Sequence, residues 1–372
     1  MIYELAIPLF FRVHEVSGNG GFPDVYPFRM RFDGGSGVPV QDSSAPLRDI
    51  LRKVYAEGLM MVGSMDGGDL AGGIHAADCM AFTREALPQL QGRRILEIGC
   101  GRGVILSQLA RQGAHCVGLE PGKQIRDAKA EGVRLINDFF PSSQLAGERF
   151  DAVTSYNVIE HIEDLTGFLE GVRQCLAEGG DFVFCVPNCG PYLAAGDVSI
   201  LLHEHFNYFS SDNVVALLEG AGFTLDKVTV SASTALLMVH ARKGRQGAAG
   251  SAAGVDELGH FMRAMQGVQD RLGASMSRFE DREIAVYCPN RALNVMCQLG
   301  RRMVRLVEDT PGVAGRYYPY FGSPVESFAS LAEHPPKSIY VFSFTHGELL
   351  RARCRGEARL EGAEVHVISD FY

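Results

Sequence analysis

Short, almost wholly apolar runs alternate with stretches of helical periodicity over most of this chain, and the alternation becomes regular from residue 93 onward. Strands are expected over residues 95–98, 116–119, 134–136, 150–155, 181–186, 224–230 and 236–241. Helices are expected over 104–112, 123–131, 165–176 and 213–221. Apolar strands separated by helices predict a mostly parallel sheet covered on both faces, because strands buried on both sides lose the polar-apolar alternation of a half-exposed sheet. Residues 1–90 are less regular. They show strand-like pieces among many glycines, a helix over 46–58 with Leu47, Ile50, Leu51 and Val54 in register, a glycine-rich loop over 65–73, and a second helix over 74–90.

Beyond the sheet, residues 242–254 are small and lack apolar periodicity, which reads as a linker or hairpin tip. A long helix is expected over 255–279, then strands over 284–288, 304–307, 339–344 and 365–368, with helices over 291–299, 324–331 and 347–360. The fold class is therefore α/β: a Rossmann-like domain plus a second, smaller Rossmann-like α/β domain. The expected divisions are an N-terminal segment 1–74, a central domain 75–245, and a linker helix with the C-terminal domain 246–372.

Composition narrows the partners. Hydrophobic residues make up 46% of the 372 positions, enough for substantial cores, and 35 basic against 44 acidic residues leave a net charge of -9. There is no long Lys or Arg run, which argues against nucleic acid. No apolar run reaches the ~18–20 residues of a membrane span. The opening MIYELAIPLFF carries Glu4 and no basic lead, unlike a secretion signal. The nine cysteines are scattered and form no CxxC pair, so a reducing cytoplasm is expected, without a disulfide framework or zinc knuckle.

The densest chemical signal is Glu97-Ile98-Gly99-Cys100-Gly101-Arg102-Gly103, where an apolar strand meets a helix. Alternate glycines allow a sharp turn and close approach of the backbone to a ligand. The spacing is neither the dinucleotide fingerprint nor a phosphate loop. Glu120, at the end of the next strand, offers acceptors for both hydroxyls of a ribose. Asp138 follows the third strand, within reach of an adenine amino group, and Asn157 and Val158 follow the fourth. The ordered segments LEIGCGRG, GLEP, INDFF and FDAVTSYNVIEHIED resemble the class I S-adenosylmethionine-dependent methyltransferases over roughly residues 93–243. The resemblance implies S-adenosyl-L-methionine as cofactor, with Gly99, Gly101 and Gly103 along its methionine part, Glu120 on the ribose and Asp138 on the adenine. Glu97, Asn157 and Val158 complete the expected cofactor site.

After the fifth strand comes Leu201-Leu202-His203-Glu204-His205-Phe206-Asn207-Tyr208-Phe209-Ser210. Two imidazoles flanking a carboxylate suit acid–base work near neutral pH. A structural histidine pair is an alternative. A metal site is a weaker one, since helical zinc sites space their ligands at i and i+4. His161 follows the fourth strand and is expected in the same crevice. HEHFNYFS, followed by a long helix and a second α/β unit, resembles the sugar C-methyltransferases. That family implies an acceptor such as a nucleotide-linked 4-keto deoxysugar, no metal, and Glu204 with His205 in the active site, His205 being the favoured general base. His161, Asn188, His203 and Tyr208 are expected around the acceptor. Two segments, VEDTPGVAGRYYPYFGSPVESF and SIYVFSFTHGELL, carry the weaker C-terminal likeness. The chain departs from the family in three places. Its first cysteine is Cys79, residues 58–78 contain no tyrosine where the family often has one (His75 is the nearest polar candidate), and the strand end from Val286 to Arg291 lacks glycine. Other readings stay open: an O- or N-methyltransferase, or a non-catalytic remnant acting as an assembly partner. Oligomeric state is open as well.

Overall fold

The computed structural model describes residues 2–34, 36–57, 70–128, 130–244, 257–344 and 346–372. The chain builds two compact units that alternate along the sequence. Met1–Met30, Pro191–His203 and Val255–Tyr372 make one, and Arg31–Gly190 with Glu204–Gly254 make the other.

In chain order the first strands are β1 (Ile2–Pro8), β2 (Val25–Asp33) and β3 (Val38–Gln41), followed by helices α1 (Ala45–Glu57) and α2 (Leu70–Ala86). The glycine-rich loop expected over 65–73 gives way to helix from Leu70, and its earlier residues lie outside the described part, as does nearly all of the expected linker.

The unit that begins at Arg31 is organised around a seven-stranded sheet. Its strands are β4 (Arg94–Ile98), β5 (His115–Leu119), β6 (Val133–Ile136), β7 (Phe150–Tyr156), β8 (Leu176–Pro187), β9 (Phe223–Val230) and β10 (Leu236–Lys243). They lie in the order β6-β5-β4-β7-β8-β10-β9. The first five run parallel, and β10 lies antiparallel to both β8 and β9. Helices α3 (Val104–Ala110), α4 (Leu165–Cys175) and α6 (Ser211–Gly220) connect the strands; α5 (Gly190–Ala195) follows β8 in the chain but from Pro191 belongs to the other unit. The helix expected over 123–131 is instead a 3-10 turn, Lys123–Asp127.

Successive strand side chains point to opposite faces. Leu96, Ile98, Val117, Val153, Phe182 and Phe184 pack on one face with α4 and α6. Ile95, Cys116, Ala152, Val183 and Cys185 pack on the other with α2 and α3. Both layers are predominantly apolar, with Glu97, Thr154 and Ser155 as buried exceptions, which is why the strands read as nearly continuous hydrophobic runs. The strand order reverses between β4 and β7, so a crevice opens at the carboxyl ends of those two strands, the place where open α/β sheets bind ligands.

The other unit contains α7 (Glu257–Met276), β11 (Ile284–Tyr287), α8 (Pro289–Gln298), β12 (Arg305–Val307), β13 (Val325–Glu326), α9 (Phe328–Glu333), β14 (Ser338–Val341), α10 (Gly347–Gly356) and β15 (Glu364–Val367). Its five strands are all parallel, in the order β13-β12-β11-β14-β15, a second Rossmann-like sheet. The helix expected over 324–331 starts only at Phe328, because Val325 and Glu326 pair with β12 as an edge strand. Among the described residues no helix is long and apolar enough to cross a membrane.

Candidate active site

The crevice begins at the glycine loop. Gly99, Gly101 and Gly103 all have positive φ, at 74°, 53° and 73°. None of them can be replaced freely, because a positive φ strains any L side chain. A Cβ on Gly99 would collide with Val158, the residue two beyond β7, and Gly103 is the left-handed cap of α3. A Cβ on Gly101 would meet nothing within 4 Å, so the loop faces open space there. Glu120 ties this loop to the end of β5. Its carboxylate accepts from the Gly101 amide at 3.1 Å, the Gly122 amide at 2.6 Å and the Gln124 side chain at 3.1 Å. Burial raises its pKa against the pull of the Gly122 and Gly101 amides. Oε1 takes both Gly122 and Gln124, while Oε2 takes only Gly101 and retains acceptor capacity for a ribose hydroxyl. Asp138 accepts from the Phe139 amide and the Ser142 hydroxyl, at 2.8 and 2.7 Å, which lower its pKa and keep it ionised. Asn137, within the INDFF segment but given no role from the sequence, donates to the Glu120 carbonyl at 2.8 Å and joins the ends of β5 and β6. Glu97 is buried under the loop, and burial pushes its carboxyl well above the usual range.

Further along the crevice, the turn after β7 and the His-Glu-His segment are bound together. The Glu160 carbonyl accepts from the amides of Phe206 and Asn207, at 2.7 and 3.1 Å. The Asn207 side chain returns two hydrogen bonds, to the Ile159 and Ile162 carbonyls at 3.1 and 2.6 Å. Strand β3 holds the other side, since Gln41 donates to the Phe206 carbonyl and Tyr208 to that of Pro39. These contacts bring His161 and His205 together edge to face, ring centroids 4.8 Å apart. His161 Nδ1 lies 2.9 Å from the Glu204 carbonyl and its Nε2 lies 3.9 Å from Glu160. Burial dominates the electrostatics. It drives His161 down to about 4, despite the Glu204 carbonyl, and pushes both Glu160 and Glu204 up to about 8. At neutral pH His161 is thus a neutral imidazole and the two carboxyls are mostly protonated.

Residues 74–228 match the family model of a methyltransferase domain. This is a class I S-adenosylmethionine-dependent methyltransferase domain. A ubiquinone biosynthesis O-methyltransferase of Methylobacterium sp. (strain 4-46) is 29% identical over 195 residues, covering 47% of this chain and 76% of that protein. One from Rhizobium rhizogenes is 34% identical over 113 residues, but there the chain spans only 46% of the relative's length. Among solved structures, an S-adenosylmethionine-dependent methyltransferase from Mesorhizobium loti aligns with a TM-score of 0.38 at 20% identity, covering 44% of this chain and 95% of that one. A Burkholderia thailandensis 1,6-didemethyltoxoflavin-N1-methyltransferase, bound to S-adenosylhomocysteine, aligns with a TM-score of 0.42 at 18% identity over 56% and 96% of the two chains.

The methyltransferase domain thus gathers Gly99, Gly101, Gly103, Glu120 and Val158 around one crevice, and Glu204, His205 and His161 in one cluster. Asn157 sits at the end of β7 in a left-handed conformation, φ 52°, with its amide donating to the Cys185 carbonyl. Asn188 lies in the turn after β8. Tyr208 is wholly buried in the core, and its side chain has no surface to offer an acceptor. His203 belongs to the other unit, where it packs on Tyr26 and Phe28 with Nε2 3.3 Å from the Tyr26 carbonyl. Two site residues are not evident from the sequence. Glu160 is hidden inside the apolar-looking VIEHIED run. Tyr55 lies on α1, three residues before the stretch in which the sugar C-methyltransferases often carry a tyrosine, yet it packs edge-on to His161 with centroids 6.3 Å apart. Burial, then the charges of Glu204, Glu160 and Glu120, hold its phenol protonated.

Proposed function

We propose that this domain C-methylates the carbon beside the ketone of a sugar, most favourably a nucleotide-linked deoxysugar, with His205 as the general base. The observation that supports this is the imidazole pair of part-buried His161 and buried His205, beside two carboxyls whose pKa burial raises to about 8. A ketone acidifies the neighbouring C–H, and a neutral imidazole at working pH accepts that proton. A protonated carboxyl in an apolar site donates a hydrogen bond to an oxygen that gains charge as the enolate forms, and we assign that role to Glu204, whose pKa burial raises to about 8. The Tyr55 phenol, protonated and facing the same cluster, is a second donor for the acceptor's oxygens. S-adenosylmethionine, when bound, supplies an electrophilic methyl carried on a sulfonium. Glu120, Asp138 and the glycine loop would hold it, and Tyr55 on α1 borders the cluster that would take the acceptor.

A second reading draws on the relatives in ubiquinone biosynthesis, which are O-methyltransferases. In that case the same histidine takes a hydroxyl proton. One experiment separates them. The enzyme is incubated in D₂O with S-adenosylhomocysteine and a panel of keto-sugar nucleotides, and deuterium uptake at carbon is followed by NMR. Uptake that disappears in His205→Ala supports carbon chemistry. No exchange at carbon for any keto sugar, together with label appearing on oxygen in a parallel incubation with methyl-labelled S-adenosylmethionine and a hydroxylated acceptor, replaces it with O-methylation.

A further inference from the structure

We propose that His75, Cys79 and Cys185 form a binding site for a thiophilic divalent metal ion of the zinc class, on the face of the seven-stranded sheet covered by α2. His75 and Cys79 are four residues apart on α2, so both project from one side of that helix. This is the i, i+4 spacing by which helices present metal ligands, here with a thiol in place of the second imidazole. Cys185 meets them from β8, and its position near the carboxyl end of that strand turns its side chain toward α2.

The distances fit an ion better than a covalent bond. One donor atom from each of the three residues lies within 4.8 Å of the others. The sulfurs of Cys79 and Cys185 are 3.7 Å apart. Two thiolates bound to zinc at ~2.3 Å in tetrahedral geometry stand about 3.8 Å from each other. A disulfide would need ~2.05 Å. Both cysteines are fully buried, so adventitious surface chelation does not account for their approach.

The charge pattern agrees. Hydrogen bonding from Cys185, opposed by burial and helped by His75, draws the Cys79 thiol down to about 6, so it is a thiolate at neutral pH. Burial pushes the thiols of Cys100, Cys116, Cys175, Cys288, Cys297 and Cys354 the other way. Cys185 is also held protonated, by burial and by its neighbour Cys79, and an ion would displace that proton. Buried Glu97 interacts electrostatically with Cys79, and its Oε2 has no hydrogen-bond partner among the described residues. A cation here offsets the charge on Cys79 and gives the unpartnered Glu97 oxygen a positive neighbour. Asn157 supplies a fourth donor beside the set, because its Oδ1 accepts from Cys185 Sγ at 3.0 Å. Two other groupings are explained without an ion. Glu160, His161 and His205 belong to the acceptor site, and Asp181, Asp226 and His240 are neutralised by Arg93 and Arg242.

The test uses the full-length chain, reduced and stripped by chelator. Titration with Co²⁺ is expected to give one equivalent with a thiolate-to-cobalt charge-transfer band and the d–d bands of a tetrahedral site, displaced by Zn²⁺. Cys79→Ser and Cys185→Ser should each abolish the charge-transfer band. Cys288→Ser and the double variant Glu160→Gln/His205→Ala should keep it. Asn157→Ala should weaken Zn²⁺ by ~10–100-fold. Should the cysteine variants fold poorly, alkylation of the wild type answers the same question: Zn²⁺ is expected to protect Cys79 and Cys185, mapped by peptide mass spectrometry. No thiolate band in the reduced wild type, a band that survives in both cysteine variants, or alkylation of Cys79 unchanged by Zn²⁺ would overturn the site.

Discussion

The Nδ1 of His161 and the main-chain oxygen of Glu204 lie 2.9 Å apart, across a sequence separation of 43 residues. A carbonyl only accepts, so Nδ1 carries the proton and Nε2 keeps its lone pair. The bond also tethers the His-Glu-His segment to the turn after β7. His161 therefore positions its neighbour, while His205 is the proposed base. His205→Asn is expected to lower kcat by ~10²–10⁴ with S-adenosylhomocysteine affinity unchanged in calorimetry. Adding Glu204→Gln should cost less than the product of the single effects, because the two act on one proton transfer. Wild-type turnover in His205→Asn would remove the assignment.

Stability should depend on pH in a way that exposes the buried carboxyls. Glu160 and Glu204 titrate at about 8 in the fold, against an ordinary value of 4.5. Below 4.5 both folded and unfolded chains are protonated and their contribution is complete. It is lost as pH rises through about 8, because only the unfolded chain ionises in that interval. His161, lowered from 6.5 to about 4, loses its contribution as pH falls through that range, so it is silent above 6.5. Cys79, drawn from 9.0 to about 6, gains with rising pH and opposes the carboxyls. The informative quantity is thus the difference in slope. Between pH 6.5 and 8, Tm of Glu204→Gln should fall less, or rise more, than that of the wild type. Parallel curves would contradict a buried, protonated Glu204.

Glu120 serves the fold and the cofactor together. Glu120→Ala leaves the amides of Gly101 and Gly122 without their shared acceptor. S-adenosylmethionine binding should weaken by ~1–3 kcal/mol, with a lower Tm. Glu120→Gln retains one acceptor oxygen and should lose less of both. Equal affinity in Glu120→Ala and the wild type would place the ribose elsewhere.

Gly99→Ala should destabilise the domain by ~1–3 kcal/mol, since its Cβ collides with Val158 and its φ of 74° strains any L side chain. Val158→Ala in the same chain should recover part of the loss and leave the strain. Denaturant unfolding of the two single variants and the double variant gives the coupling. Additive effects would show that the two residues do not touch.

Tyr55→Phe removes the phenol facing Glu204, Glu160 and His161 and nothing else. Turnover on the true acceptor should drop by ~10-fold or more, while Tm and cofactor affinity stay near wild type. An unchanged kcat would make Tyr55 a packing residue.

Much of this protein can be read directly from its order of residues. Apolar runs of strand length between helices specify a two-sided parallel sheet, because burial on both faces leaves a signal in every strand residue. The glycine loop and Glu120 are legible for a related reason. Positive φ at Gly99 and Gly103 admits little but glycine, and a strand end can be counted from the run before it. The rest depends on contacts between distant segments. Tyr55 meets His161 only because α1 packs against the segment after β7, where Arg48 also pairs with Glu163, and no local pattern marks a tyrosine on an amphipathic helix as a site residue. His203 and His205 look equivalent in sequence, yet they fall into different units and one packs on Tyr26 and Phe28. Cys79 and Cys185 stand 106 residues apart, and their sulfurs meet because α2 covers the face of β8 to which Cys185 points. Periodicity reports which way a side chain faces its own layer. Which side chain it finds there is set by the strand order and by the helix that crosses that face.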